Sequence, residues 1–470
     1  MDLKYKRFGK NTILVFVGNA GSKIIGLLLL PIYTRFLSTD EVGITDMVGV
    51  YASIFLPVIS VCVADGMFVF PKDSDKEGKK KYFSSGLFFA LLTFSFYSLL
   101  FFIIEITSIK IQIHSTFTDY IWWIFIMTVS LFFQSYMQQF CRSIDKMVIF
   151  STTGIIQALL LVTLAFWWLP LYGIKGYFWS LIVASLLSSL YSYIFSGSYK
   201  YLSFHSFDRI SLKELLSYGL PLIPNSLMWW LVNGINRPLM ESNIGLNAIG
   251  LFSVAQKFPS FISILFTILS TAWGISMIEE YRKPGFSIFY EKMIRLITIA
   301  VVIGGIILSL SSKLLISIFV SDVFFGAWKY IPFLTIAVLF QCISSLVGGI
   351  FMAVKTSKYF FYSSIWGASI SLVCTYFFII LWGVMGVCIA LTLSFFSLLV
   401  SRYIYSRRYV SVDFKPFITL FSIFLAQVIT VTLDISVIIN IVVSLLSISL
   451  ILWQNLSLLK SVKQQFKSII

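Results

Sequence analysis

Apolar runs of about 20 residues, each closed by a short polar stretch, recur along the whole chain. A helix rising 1.5 Å per residue needs about 20 such residues to cross roughly 30 Å of hydrocarbon. Only helices and closed barrels satisfy their backbone polar groups in that setting. The windows predict about 14 crossings. In the first half they cover 11–36, 42–70, 82–104, 119–140, 148–169 and 177–196. After the polar stretch GSYKYLSFHSFDRISLKE they resume at 215–240, 248–278, 293–310, 330–352, 359–380 and 384–405, with a last pair at 417–433 and 435–453. The expected fold is an all-α polytopic membrane protein with two six-helix lobes, 1–197 and 215–405, joined by a cytoplasmic link at 198–214. Helices 13 and 14 and an interfacial tail fill 406–470.

Charge gives an independent test, because loops on the cytoplasmic side of a membrane are enriched in Lys and Arg. The N-terminus, PKDSDKEGKKK, Arg142 with Lys146, the central link, YRKPGFSIFYEK, Lys355 with Lys358, RRYVSVDFK and Lys460, Lys463 and Lys467 all fall on one side. In all, about 27 of the 35 basic residues fall on that side, against about 6 on the other, which predicts cytoplasmic termini. The net charge of +15 therefore reflects topology and calls for no nucleic acid. With 58% hydrophobic and 12% charged residues and a mean hydropathy of +0.93, a water-soluble globule is excluded.

The pattern also repeats internally. YTRFLSTDEVGITD and NRPLMESNIGLNAIGLFS each place an Arg, a short link and a Gly that opens the next helix, as expected for two related halves. Ser38 with Glu41 and Ser211 with Glu214 have capping-box spacing, which predicts helix starts after both links. LSLLKSVKQQFKSII alternates apolar residues and lysines at helical spacing and reads as an interfacial helix.

Polar residues inside the crossings carry the candidate chemistry, since an ammonium at mid-bilayer costs at least about 3 kcal/mol. Lys23 lies about 18 Å below Arg35 along the first helix, with Asn19 on the same face. Lys257 has similar depth on a stripe with Ser253, Gln256, Ser260, Ser263, Thr267 and Ser270. The seventh crossing adds Asn225, Asn233 and Asn236 or Arg237; the second adds Asp46, Ser53 and Ser60. Such faces fit a water-filled cavity. Arg35 and Arg237 stand at the outer ends of their helices, where a long side chain snorkels as readily as it lines a cavity. For Lys23 and Lys257 the competing reading is a structural ion pair, with Asp46 and Asp65 as partners; those carboxylates are equally candidates to carry a coupling Na+ or H+.

Several chemistries drop out. The five cysteines form no C-x-x-C pair, the chain has two histidines, and no G-x-x-x-x-G-K-[ST] loop occurs, so thiolate metal sites, zinc chemistry and ATP hydrolysis are not expected. The loops are also short for the scaffold of a membrane glycan polymerase or ligase.

LLSYGLPLIPNSLMWWLVNGINRPLM, continuing through IGLFSVAQKFPSFISILFTILSTAWGISMIEEY, resembles the middle of the Wzx-type oligosaccharide flippases, members of the MATE-like multidrug/oligosaccharidyl-lipid/polysaccharide (MOP) superfamily. The opening NAGSKIIGLLLLPIYTRFLSTDEVGITD is similar to the family's start. P-L-I-P-N-S at 221–226 and A-x-K-x-P at 255–259 are its more specific elements. The resemblance implies a transporter rather than an enzyme. Its cargo would be a polyprenyl-pyrophosphate-linked oligosaccharide for surface polysaccharide, turned across the bacterial inner membrane by alternating access, with membrane lipids and other polysaccharide assembly proteins as partners. It carries over Arg237 and Lys257 by position and Arg35 more loosely. The chain departs from the family pattern at Asn236, where many relatives have Asp, and at Phe70 and Pro71, where an arginine is expected. A cation-coupled multidrug exporter of the MATE type is the alternative on the same scaffold, and it should prefer acidic cavity residues.

Overall fold

The computed structural model describes residues 28–460 apart from 113, 282, 355, 357, 411 and 459. Most of the first predicted crossing, with Asn19 and Lys23, and nearly all of the tail lie outside the described residues. Those residues are helical with no strand, and they include ten helical stretches long and apolar enough to cross a membrane. The chain is an all-α, multi-pass membrane protein. By internal packing it divides into two compact units, Met1–Trp230 and Leu231–Ile470.

The first unit holds α1 (Leu30–Phe36), α2 (Thr39–Ser60), α3 (Val63–Val69), α4 (Lys76–Ile111), α5 (Ile121–Ser143), α6 (Met147–Phe195) and α7 (Arg209–Gly219). Ser38 and Glu41 form the capping box expected at the start of α2, with Glu41 N–H donating to Ser38 Oγ at 3.2 Å and Ser38 N–H to Glu41 Oε2 at 2.9 Å. The second predicted box does not form. Asp208 caps α7 by accepting from Ser211 N–H at 2.8 Å, so the helix starts a turn earlier, and Glu214 accepts instead from Tyr82 Oη. The Ser211 N–H and hydroxyl hold the Asp208 carboxyl below the usual carboxylate range. The polar link is docked on α4: Ser84 Oγ accepts from Ser203 N–H at 3.0 Å and Ser85 Oγ from Asp208 N–H at 2.8 Å. Phe83, Phe132, Tyr136, Phe140, Met67 and Leu215 fill the core, where Tyr136 Oη donates to Phe83 O at 2.6 Å.

The predicted second crossing, 42–70, is not one helix. Val61 and Cys62 both adopt left-handed backbone (φ 50° each) between α2 and α3. Two non-glycine residues there cost about 1–2 kcal/mol apiece. Neither residue type announces a break.

α6 is 49 residues long, about 74 Å if straight and more than twice a bilayer core. Thr152 with Tyr191 (3.0 Å), Thr153 with Ser192 (2.6 Å) and Gln157 with Ser185 (3.1 Å) pair its two arms in antiparallel order, so it is a hairpin turning at Gly173 (φ 55°, ψ −135°). It supplies two crossings.

α8 (Leu222–Asn233) leads into the second unit, which holds α9 (Asn236–Ile244), α10 (Leu246–Glu280), α11 (Phe286–Leu310), α12 (Ser312–Phe319), α13 (Ile331–Ala353), α14 (Lys358–Ser406), α15 (Lys415–Thr432) and α16 (Val437–Gln454). Tyr290 Oη donates to Val347 O at 2.9 Å and Trp273 Nε1 to Leu346 O at 3.0 Å, tying α11 and α10 to α13. α15 and α16 pack on α11, joined to each other through Gln427 Nε2 and Ser444 Oγ at 3.1 Å. α14 repeats the plan of α6: 49 residues, folded at Gly383 (φ 55°, ψ −131°). α5 and α13 are likewise both 23 residues. Gly173 and Gly383 lie 210 residues apart (383 − 173), as do Ile121 and Ile331 (331 − 121). The duplication is thus plainer in the helix-pair lengths than in the stretches compared by sequence. There the two arginines do not correspond: Arg35 closes α1, whereas Arg237 opens α9.

Candidate functional site

The seventh crossing is broken twice, after Gly219 at Leu220–Pro221 and again at Gly234–Ile235, leaving α7, α8 and α9 in series. Interrupted crossings of this kind free backbone groups and bend side chains inward, which is why transporters build sites on them. The second break places Arg237 two residues into α9, buried with 4% exposure. Its Nη1 donates to Asn233 O at 2.5 Å and to Asn236 Oδ1 at 2.8 Å, its Nη2 donates to Gln256 Oε1, and its plane lies over the Phe252 ring at 4.8 Å. Of the two readings open for Arg237, snorkelling and an inward position, the buried guanidinium fits the second. It stands level with Gln256, which is about 15 Å along α10 from Leu246, because α9 continues past it to Ile244.

Three residues named from the sequence, Asn233, Asn236 and Gln256, thus converge on one guanidinium. Asn236 is fully buried, and its Nδ2 has no partner among the described residues, so a donor is left unused beside the cation. Lys257 follows Gln256 directly but is exposed, at about 16 Å depth along α10. Below it Ser260 and Thr267 are exposed and Ser263 and Ser270 half-exposed; Ser260, Thr267 and Ser270 bond to carbonyls of their own helix (2.5–2.9 Å), which satisfies them without a ligand. The arrangement can hold an anion: a fixed, always-charged fork, an unspent amide donor and, on the next residue of α10, an exposed ammonium.

The remaining residues scatter. Asn225 is exposed on α8. In the first unit Arg35 is exposed in the last turn of α1, where its charge complements the helix dipole. Asp46 is half-buried on α2 within electrostatic reach of Tyr33 and Tyr177, whose rings lie 5.7 Å apart. Asp65 is exposed on α3 beside Cys62. Among the described residues no three His, Cys, Asp or Glu side chains gather as a metal site.

Sequence reading missed Arg402. It sits 3% exposed near the end of α14, with Nε donating to Ser363 Oγ at 3.2 Å, Nη1 to Ser344 O at 3.1 Å and the Phe360 ring at 5.0 Å. Grouped with the neighbouring RR, it looks like one more charge of a basic link; only its partners on α13 and the other arm of α14 reveal burial. Truncation leaves a hole and unpaired acceptors, so Arg402→Ala is expected to cost about 2 kcal/mol, seen as a lower unfolding temperature in detergent.

Residues 8–274 match the family model described as polysaccharide biosynthesis protein. No curated protein matches the sequence. Among solved structures, the lipid II flippase MurJ in its inward closed conformation aligns over 96% of this chain and 99% of its own, with 16% identity and a TM-score of 0.68. An inward-facing multidrug resistance MATE family transporter of the MOP superfamily aligns over 82% and 94%, with 13% identity and a TM-score of 0.65. A MOP superfamily transporter from Pyrococcus furiosus Vc1 (DSM3638), described as having a binding pocket of reverse polarity, aligns over 86% and 95%, with 14% identity and a TM-score of 0.58. At these identities the likeness is one of fold.

Proposed function

The chain belongs to the polysaccharide biosynthesis protein family, and from that premise we propose that it is a flippase for a polyprenyl-pyrophosphate-linked oligosaccharide. It turns this repeat unit from the inner to the outer leaflet of the bacterial cytoplasmic membrane by alternating access of the lobes 1–197 and 215–405, with both termini cytoplasmic. The observation that carries this reading is the Arg237 cluster, a buried guanidinium and an unused amide donor about 15 Å along α10, with exposed Lys257 the residue after Gln256. A pyrophosphate crossing hydrocarbon needs fixed donors in place of water, and this cluster offers them. Lys23, outside the described residues, would add a second ammonium from the first lobe. Asp46 and Asp65 are the candidates for Na+ or H+ coupling.

A cation-coupled drug exporter is the second reading, favoured by the fold shared with MATE transporters. It requires an acidic lining, whereas the cluster built here is cationic. Lys257→Ala and Lys23→Ala should each lower surface glycan display about tenfold, roughly 1.4 kcal/mol of lost anion stabilisation, with membrane insertion unchanged and Lys257→Arg retaining activity. Normal display by both alanine variants rejects the flippase reading.

A further inference from the structure

The left-handed pair Val61–Cys62 is covered from one direction. α7 lies against it, and a Cβ on Gly219 would sit 2.0 Å from Val61 O, 3.2 Å from Val61 C and 3.4 Å from Cys62 C. The backbone of α7 therefore rests directly on the bend. Leu215, fully buried one turn earlier, fills a notch that exists because Gly66 of α3 and Gly86 of α4 lack side chains: a Cβ there would lie 2.8 and 3.3 Å from its methyl groups. Glu214 accepts from Tyr82 Oη, and Asp208 N–H donates to Ser85 Oγ at 2.8 Å, fixing α7 to α4 at its other end. Immediately after Gly219 the seventh crossing itself breaks at Leu220–Pro221. Two bends from different crossings are thus seated on each other inside the first unit.

Pro57 lies inside α2 four residues before the bend, where it removes a backbone donor and crowds the turn back toward Ser53, but it does not itself set Val61 and Cys62 in left-handed backbone. The stretch from Val58 to Phe70 contains no proline, its glycine at 66 lies inside α3, and its apolar pattern is that of one uninterrupted helix. Val is β-branched and among the residues least suited to left-handed backbone. A conformation disfavoured by its own residues persists only where the surroundings impose it.

We propose that α2–Val61–Cys62–α3 is a two-state element: bent while α7 is docked through Gly219 and Leu215, and a single continuous helix over 39–69 when α7 withdraws. The seventh crossing then controls the shape of the second through a backbone contact. The use of this element in transport rests on the alternating-access reading above; the bend and its control do not.

Spin labels at exposed Ser53 and Val69 read the element directly, since a continuous helix kinked only at Pro57 sets their backbones up to about 24 Å apart and the bend at Val61–Cys62 shortens that distance. In the purified full-length protein, Gly219→Ala should convert most of the population to the long distance. Val61→Gly, which suits left-handed backbone, should act oppositely and raise the ratio of bent to straight about fivefold. Should Gly219→Ala fail to fold, Leu215→Ala serves as the undocking variant, expected to raise the straight fraction. An unchanged short distance in a folded undocking variant, or a shift toward the long distance in Val61→Gly, overturns the proposal. Glycan display measured alongside separates the two readings: altered distances with normal display would leave the switch standing and remove it from the transport cycle.

Discussion

Arg237→Ala should abolish glycan display, a loss of about a hundredfold or more, while the protein still reaches the membrane. Three oxygens, Asn233 O, Asn236 Oδ1 and Gln256 Oε1, accept from the guanidinium. Removing it leaves them facing each other in a buried site, at about 1–3 kcal/mol for each group left unpaired. The site loses its fixed charge and becomes a cluster of acceptors, the wrong polarity for a pyrophosphate. Arg237→Lys separates charge from geometry. An ammonium cannot reproduce the planar fork that reaches three acceptors at once, so partial display, down about tenfold, is expected. Gln256→Ala should weaken display less than Arg237→Ala, because it removes one acceptor and leaves the cation. Display by Arg237→Ala at the level of the unmodified protein would show that cargo does not pass this cluster.

The second large effect concerns folding. In the α14 hairpin a Cβ on Gly386 would lie 1.9 Å from Phe378 O and 2.4 Å from Phe378 C; in α6 a Cβ on Gly176 would lie 2.2 and 2.6 Å from Trp168 O and C. These neighbours are backbone, so no rotamer change relieves the overlap, and the hairpin must open. Gly383, at φ 55° and ψ −131°, occupies a region closed to L side chains. Gly386→Ala and Gly383→Ala are each expected to cost about 4 kcal/mol or more, read as loss of monodisperse protein on size-exclusion chromatography in detergent. Gly304→Ala is the matched control: it meets nothing within 4 Å and should be neutral or slightly stabilising. Equal yields from Gly386→Ala and Gly304→Ala would mean the hairpin is not packed as described.

The same hairpins show what sequence could convey. Apolar runs interrupted near Gly173 and Gly383 read as paired crossings because hydrocarbon forces every span to announce its length. The polar content of the site was legible too: Asn233, Asn236, Arg237, Gln256 and Lys257 stand out against apolar neighbours. Their grouping was not. That Arg237 turns inward onto Gln256 depends on a helix break at Gly234–Ile235 and on packing between α9 and α10, neither of which hydropathy reports. The bend at Val61–Cys62 was illegible for the opposite reason: its residues prefer to continue a helix, and the cause lies in Gly219, far along the chain. Arg402 was hidden by company, one buried charge beside solvated ones.

Counting back 210 residues from Ser363 and Arg402 arrives at Thr153 and Ser192, which touch hydroxyl to hydroxyl at 2.6 Å in the matching hairpin. One copy of the motif seats a cation where its twin keeps two small neutral groups, and both scaffolds accommodate their version. A chain of this kind resembles a tethered pseudo-dimer: the common framework keeps the pair foldable, and asymmetry can be installed one side chain at a time.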